Sequence, residues 1–287
     1  MIARARQSLE GLSVGDSFGE RFFTHPHVVQ GLIAARALPS GTWRWTDDTA
    51  MALSIVEVLA AHERIEQDAL AAAFARRYRD EPDRGYGGMA RSILEEIADG
   101  APWPVVTRAV FDGQGSMGNG AAMRVAPIGA YFADDPARAA DEARRSSEPT
   151  HWHADGQAGA MAVAAATSVG AVGGDARALW DAALSCTPDG ETRAELARAA
   201  ALPASTSVEA AAAALGSGQR VVSADTVPFS LWCAARHLGD FVEAMWTTVA
   251  GLGDRDTTCA IVGGIVASSG AAIPADWLAA REPLPAV

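Results

Sequence analysis

Two short segments combine carboxylates with hydroxyls, the oxygen ligands that hard divalent cations prefer. They are Thr46-Asp47-Asp48 and Asp254-Arg255-Asp256-Thr257. Because clustered carboxylates repel one another unless a proton or a cation lies between them, each segment is a candidate site for Mg²⁺, Ca²⁺ or Mn²⁺. Each segment also directly precedes a strongly helical stretch, where carboxylates cap the positive helix end. Singly, either segment is adequately explained as a helix cap; together they suggest a binuclear centre formed by two helix starts.

A glycine-rich segment, Gly113–Gly120, has the composition of a loop whose backbone N–H groups face a phosphate, because glycines permit positive φ and close approach. It matches neither the Walker A loop nor the dinucleotide fingerprint, and no strand is predicted before it. The segment contains Asn119, the only asparagine of the chain, whose amide either favours a left-handed turn or donates to a ligand. A flexible connection remains the structural alternative.

Two further polar segments are ambiguous. His151 and His153 form a His-x-His pair, but no cysteine or third histidine lies near them, so we favour ligand contact or helix-start packing over a zinc site. The stretch 11–20, which carries Asp16 and Glu20, is interpreted as the end of a helix in a glycine turn.

Composition limits the classes of partner. The chain has 287 residues, and its 23 basic residues, all arginine, face 35 acidic ones, giving a net charge of -12. This charge disfavours binding to a nucleic-acid backbone. The three cysteines, Cys186, Cys233 and Cys259, form no CxxC motif and suggest neither a disulfide framework nor a zinc cluster. The first residues lack the apolar run of a signal peptide and no segment is a convincing membrane span, so we expect a cytoplasmic location.

Helical periodicity predicts the elements that position these segments. A first helix is predicted over 2–12, ending near Gly15, and the helix from Asp48 carries a stripe that includes Met51, Ile55 and Leu59. Further helices are predicted over 68–79, 88–99, 135–146, 156–172, 176–185, 193–201, 208–215, 227–238, 240–251 and 257–269, and the alanine-rich stretch 200–218 is interpreted as a surface helix pair. Convincing period-two alternation is absent, so the sequence predicts an all-α, many-helix fold, in one domain over 1–287.

The order of the motifs resembles the ADP-ribosylglycohydrolase family over nearly the whole chain. The motifs are GLSVGDSFGE, WTDDTAMALS, RGYGG, GSMGNGAAMRVAPIG, TH and GDRDTTCAIVGGIV. The resemblance implies a compact all-α fold around two divalent cations, Mg²⁺ or Mn²⁺. It also implies hydrolysis of the N- or O-glycosidic bond between ADP-ribose and a protein side chain.

The resemblance also implies the role of each site residue. The implied metal ligands are Thr46, Asp47, Asp48, Asp254, Asp256 and Thr257. The implied cradle for the diphosphate and distal ribose consists of Gly115, Ser116, Met117, Gly118 and Asn119, with His151 against that loop or the adenosine end.

The chain departs from the family pattern at two positions. Many members carry a glutamate seven positions after the aspartate of the GD turn, where this chain has Phe23, and the nearby acid is Glu20. Glycosidic hydrolysis needs a proton donor and a base for water, so either Glu20 serves or a ligand carboxylate such as Asp47 acts on the water. Asp47, Asp256 and Glu20 are thus the predicted catalytic residues. The second departure is Arg255, which we expect to point away from the cations and to pair with an acidic neighbour or contact substrate.

The leading hypothesis is a metal-dependent hydrolase acting on ADP-ribosylated arginine or serine, or on a small ADP-ribose conjugate, with ADP-ribose as product. The alternative is a non-catalytic ADP-ribose-binding regulatory protein of the same fold, in which Phe23 reflects lost hydrolysis. A third hypothesis is a structural helical protein whose acids only cap helices. Neither a nucleic-acid backbone nor a membrane is an expected partner.

Overall fold

The computed structural model describes residues 1–286, and its elements are helical throughout that range. The α-helices are α1 Ile2–Glu20, α2 Pro26–Ala35, α3 Asp47–His62, α4 Gln67–Asp80, α5 Gly88–Ala98, α6 Trp103–Ala109, α7 Ala126–Tyr131, α8 Pro136–Ser147, α9 Ala154–Gly170, α10 Ala176–Cys186, α11 Glu191–Ala200, α12 Val208–Leu215, α13 Ser223–Arg236, α14 Phe241–Ala250, α15 Arg255–Ser268 and α16 Ala275–Ala280. A 3₁₀ turn covers Asn119–Ala121. Strand pairing in the described part of the chain is limited to two isolated bridges. The predicted all-α fold is confirmed.

Helix α1 extends further than its sequence predicts. The predicted end near Gly15 is wrong, because the helix continues to Glu20. Gly11, Gly15 and Gly19 recur every four residues and therefore share one face. An ideal Cβ at Gly15 would lie 2.1 Å from the Cys259 carbonyl oxygen. The glycines thus allow the backbones of α1 and α15 to touch, and this packing outweighs the low helix propensity of glycine.

The remaining differences concern short elements. Helices α2, α6, α7 and α16, of 6 to 10 residues each, were not predicted. The stretch 200–218 contains α12 between turns rather than a helix pair. The Ser207 hydroxyl caps α12 by accepting from the Ala210 N–H at 3.2 Å, and Pro203 lacks the N–H that a continuous helix would need. The other predicted helices agree with the structure to within a few residues at their ends.

An aromatic cluster anchors the segment that leads into α3. Phe18 stacks on Trp277 with ring centroids 4.7 Å apart and contacts Trp43 at 5.5 Å. The Trp43 N–H donates to the Ala280 carbonyl at 2.7 Å, and its carbonyl accepts from the Glu282 N–H at 2.8 Å. The last described segment of the chain therefore holds the residues before α3 in place.

Buried side chains from both ends of the chain, α1 and α15 among them, belong to one contiguous apolar core. The prediction of a single domain over 1–287 stays a prediction. Within residues 1–286, no helix combines the length and the apolar character needed to cross a membrane.

Candidate metal and ligand site

The start of α3 is held by a buried carboxylate on α1. Asp16 is fully buried and accepts from the Thr46 N–H at 2.9 Å, the Thr46 hydroxyl at 2.8 Å and the Thr49 N–H at 3.2 Å. The Thr49 hydroxyl donates to the same carboxylate. The Thr46 oxygen in turn accepts from the Asp48 N–H at 3.3 Å, which caps the helix. Asp16 was not among the predicted site residues, although the GD pair of the first motif was its signal.

Arg84 also holds the start of α3 in place. Its guanidinium lies 3.4 Å over the Trp45 ring and donates to the Trp45 carbonyl at 3.1 Å. It also pairs with Glu282 at 2.7 Å. The Arg84 carbonyl accepts from the Asp47 N–H at 2.7 Å, so this arginine fixes the backbone of a predicted ligand. The RGYGG motif was the sequence signal for this role.

Asn119 connects the glycine-rich loop to the second acidic segment. Its Nδ2 donates to Asp254 Oδ2 at 2.6 Å and to the Thr226 hydroxyl at 3.0 Å. Both amide hydrogens are therefore used within the protein. The geometry gives Asn119 a role in holding Asp254, which is a more specific role than the predicted turn or ligand contact.

The structure brings the two acidic segments together. Both face one cleft of about 410 Å³, whose other walls include the glycine-rich loop and His151. The predicted residues that line this cleft are Asp47, Asp48, Ser116, Met117, Gly118, Asn119, His151, Asp254, Asp256 and Thr257. Gly115 is not part of this lining, and Thr46 lines a neighbouring cleft instead.

Burial and mutual repulsion raise the pKa values of the aspartates in the cleft. Burial, together with the charges of Asp16 and Asp254, raises the pKa of Asp47 to about 7. Burial and neighbouring carboxylates also raise the pKa values of Asp48 and Asp256 well above their usual range. Bound protons or a bound cation reduce the repulsion within such a cluster of carboxylates.

Two carboxylate oxygens in the cluster fit a cation. Asp48 Oδ2 and Asp256 Oδ1 are buried and have no hydrogen-bond partner among the described residues. An unpaired buried carboxylate oxygen is costly, and a hard cation satisfies it. Within residues 1–286, no three His, Cys, Asp or Glu side chains converge into a complete ligand set. The binuclear centre therefore stays a prediction, supported by these two oxygens.

A second cleft, of about 830 Å³, adjoins the first, and Gly85 and Asp256 line both. Glu20 lines this second cleft, and burial followed by the charge of Asp16 raises its pKa. Phe23, at the position of the family glutamate, also lines it and is 47% exposed. Glu20 and Asp256 therefore face the same cleft.

Arg255 does not have the predicted acidic partner. Its Nη1 donates to the Phe22 carbonyl at 2.6 Å, its Nε donates to the Gly253 carbonyl at 3.2 Å, and its guanidinium lies 4.4 Å over the Phe23 ring. In the described structure it forms no ion pair with an acidic side chain, so the expected acidic partner is wrong. The expected substrate contact stays a prediction. Two backbone carbonyls and an aromatic face satisfy the guanidinium instead.

The two histidines of the His-x-His segment have separate roles. His153 caps α9 because its Nδ1 accepts from the Asp155 N–H at 3.1 Å. His151 faces the cleft, and burial together with nearby Arg124 lowers its pKa to about 3. His151 is therefore a neutral cleft residue, and the zinc interpretation has no geometric support.

Comparison with known proteins points to one family. A profile of the ADP-ribosylglycohydrolase family matches residues 1–285. The ADP-ribosylhydrolase ARH3 proteins of Xenopus tropicalis and Homo sapiens are 36% and 35% identical over 169 and 176 residues, which is 56% of this chain and 48% of each relative. The chain thus spans about half the length of these curated relatives. The solved structure of an ADP-ribosylglycohydrolase-related protein complex has a TM-score of 0.70 and 25% identity, covering 97% of this chain and 92% of that chain. The protein belongs to the ADP-ribosylglycohydrolase family.

Proposed function

We propose that this protein hydrolyses the glycosidic bond that links ADP-ribose to an acceptor group, with the help of two divalent cations, Mg²⁺ or Mn²⁺. The observation that carries the proposal is the meeting of both acidic segments in one cleft, which the glycine-rich loop also lines. A helix cap needs no partner segment roughly two hundred residues away. The shared cleft therefore favours a ligand site over two independent caps.

The donor set is suited to hard cations. Asp47 and Asp48 approach from the start of α3, and Asp254, Asp256 and Thr257 approach from the start of α15. Thr46 is a weaker candidate, because it lines the second cleft and its oxygen already accepts from the Asp48 N–H. Cations held by these residues would orient ribose hydroxyls and would lower the pKa of a coordinated water.

The glycine-rich loop is the proposed diphosphate side of the cleft. A lysine-free chain must contact phosphate through backbone N–H groups, cations, neutral donors or arginine. Ser116–Gly120 and His151 line the wall, and Arg220 lines the same cleft. This combination fits an anionic nucleoside diphosphate sugar.

The second cleft is the proposed exit for the acceptor group. It meets the first at Asp256, so a bond held between the clefts would point its leaving group toward Glu20. Because its pKa is raised, the Glu20 carboxyl retains its proton to a higher pH than an ordinary glutamate does, as a proton donor requires. Glu20 is therefore the proposed acid, and Asp47 or Asp256 the group that acts on the water.

The proposed substrates are protein arginine or serine side chains that carry ADP-ribose, or a small ADP-ribose conjugate, and a cytoplasmic location is proposed with them. The relatives named ADP-ribosylhydrolase support the reaction class. Phe23 at the usual glutamate position favours a second candidate, an ADP-ribose-binding regulatory protein without hydrolysis.

A substrate panel separates the two candidates. Purified protein is incubated with arginine- and serine-ADP-ribosylated peptides in Mg²⁺, Mn²⁺ or EDTA, and free ADP-ribose is quantified. Metal-dependent release from at least one substrate is expected. Absence of release from all of them, with ADP-ribose still bound in calorimetry, would exclude hydrolysis of these peptides and favour the regulatory alternative. Glu20→Gln should slow release, whereas unchanged release would exclude Glu20 as the acid.

A further inference from the structure

A buried hydrogen-bonded chain leads from Arg124 to the cleft. Arg124 is 0% exposed, Thr150 is 1% exposed and His151 is 7% exposed. Arg124 Nη2 donates to the Thr150 hydroxyl oxygen at 2.8 Å, and that oxygen lies 2.7 Å from His151 Nδ1. Nothing in the proposed chemistry uses Arg124 or Thr150 directly.

The direction of these hydrogen bonds follows from the chemistry of the groups. A guanidinium only donates, so the Thr150 oxygen must accept from Arg124. The hydroxyl has one hydrogen, which can go to His151 Nδ1 or to the Ser147 carbonyl, 3.4 Å away. That carbonyl already accepts the Thr150 and His151 N–H groups at 3.0 and 2.7 Å. The shorter contact and the saturated carbonyl both direct the hydrogen to Nδ1.

Electrostatics favours the same arrangement. Burial and the neighbouring Arg124 keep His151 neutral, so one ring nitrogen carries a hydrogen and the other a lone pair. A buried cation attracts the lone-pair side of the ring and repels the N–H side. Nδ1, which lies toward Thr150 and Arg124, therefore carries the lone pair.

We infer that Arg124 and Thr150 lock neutral His151 in its Nε2–H tautomer, so that the ring presents a fixed N–H donor to an oxygen of the bound ligand. Nε2 lies beside the glycine-rich loop, since an ideal Cβ would be 3.3 Å from it at Gly118 and 3.2 Å from it at Gly120. The same Gly118 Cβ would lie 3.2 Å from Ser116 Oγ. Two polar atoms thus converge where these glycines leave room for a ligand.

Arg124 and Thr150 are positioning residues that act through His151. The tautomer is independent of the proposed function, whereas the identity of the oxygen, from a phosphate or ribose of ADP-ribose, rests on it. This arrangement explains how a histidine can donate a hydrogen bond to an anion while its ring carries no positive charge.

Nitrogen NMR tests the tautomer directly. The metal-free protein is labelled with ¹⁵N-histidine, and long-range ¹H–¹⁵N spectra distinguish protonated from unprotonated ring nitrogens; His151→Gln assigns the signal by its loss. The wild-type ring should show a protonated Nε2 and an unprotonated Nδ1. A wild-type ring protonated at Nδ1 would overturn the inference.

Two substitutions at Thr150 test the relay. Thr150→Val removes the hydroxyl at similar volume and should release a mixture of tautomers, whereas Thr150→Ser should restore the wild-type pattern. Calorimetry with ADP-ribose should give roughly tenfold weaker binding for Thr150→Val, the effect of losing about one hydrogen bond. Unchanged tautomer or unchanged affinity in Thr150→Val would contradict the relay. Wild-type protein that binds no ADP-ribose would overturn the proposed function but leave the spectrum to decide the tautomer.

Discussion

The Asp16 carboxylate accepts the Thr46 hydroxyl over 2.8 Å and so ties α1 to the start of α3. Replacing Asp16 by Asn should weaken Mn²⁺ binding by about 10- to 100-fold. The amide NH₂ group would replace one carboxylate oxygen and would face the N–H and O–H groups of Thr46 and Thr49, from which it cannot accept. Calorimetry with Mn²⁺ measures the change. Asp181→Asn, on an exposed part of α10, is the control. Wild-type affinity in folded Asp16→Asn would refute the positioning role.

The contact between α1 and α15 gives a stability prediction. Gly15→Ala would place a methyl 2.1 Å from the Cys259 carbonyl oxygen, so we expect a loss of about 1–3 kcal/mol in the free energy of unfolding, or more. The matched control is Gly31→Ala in α2, where nothing lies within 4 Å of the new Cβ. Its expected effect is a gain of up to about 1 kcal/mol. Urea denaturation compares the two, and equal stabilities would contradict the close packing.

The buried aspartates predict an unusual pH dependence in EDTA. Asp47 has a pKa of about 7 in the folded protein against an ordinary 3.8, so the folded state holds the proton more tightly. Its contribution to the free energy of unfolding is therefore present at low pH and lost as pH rises from 3.8 to about 7. His151 opposes this trend, because its lowered pKa makes stability fall as pH drops below 6.5.

Asp47→Asn isolates the aspartate from the histidine. Denaturant unfolding in EDTA at several pH values should show a flatter decline for the variant than for the wild type. Added Mg²⁺ should restore wild-type stability most at high pH, where the carboxylates are charged. Parallel pH curves for the two proteins would refute the shifted pKa of Asp47.

The stacking of Arg255 on Phe23 predicts energetic coupling. Arg255→Ala and Phe23→Leu should each destabilise the protein, and the double variant should lose less than their sum by about 0.5–1 kcal/mol, typical of an exposed cation–π pair. A double-mutant cycle by urea unfolding measures this value. Strict additivity would show that the 4.4 Å contact contributes nothing.

The parts of the site predicted from sequence are those set by local chemistry. Asp47 and Asp256 stand in the first turns of helices, where residue type and spacing already point to ligands or caps. The contacts that the sequence does not predict join residues that are far apart along the chain. Asp16 meets Thr46 across 30 positions, and Asn119 meets Asp254 across 135.

The predicted end of α1 is wrong for the same reason. Local propensity favours a stop at Gly15, while contact with α15, about 240 residues away, keeps the helix going to Glu20. Arg255 likewise found carbonyl and aromatic partners that only the folded chain supplies. Periodicity sufficed for the all-α class because most helices are long and regular.

The most direct test of metal-dependent hydrolysis measures ADP-ribose release by wild type and Asp256→Asn under saturating Mn²⁺, with the substrate that the wild type cleaves best. Asp256 lines both clefts and carries an unpaired buried oxygen. We expect release that stops in EDTA and is at least about 100-fold slower in the folded variant. Release at the wild-type rate by Asp256→Asn, or by wild type in EDTA, would contradict this expectation.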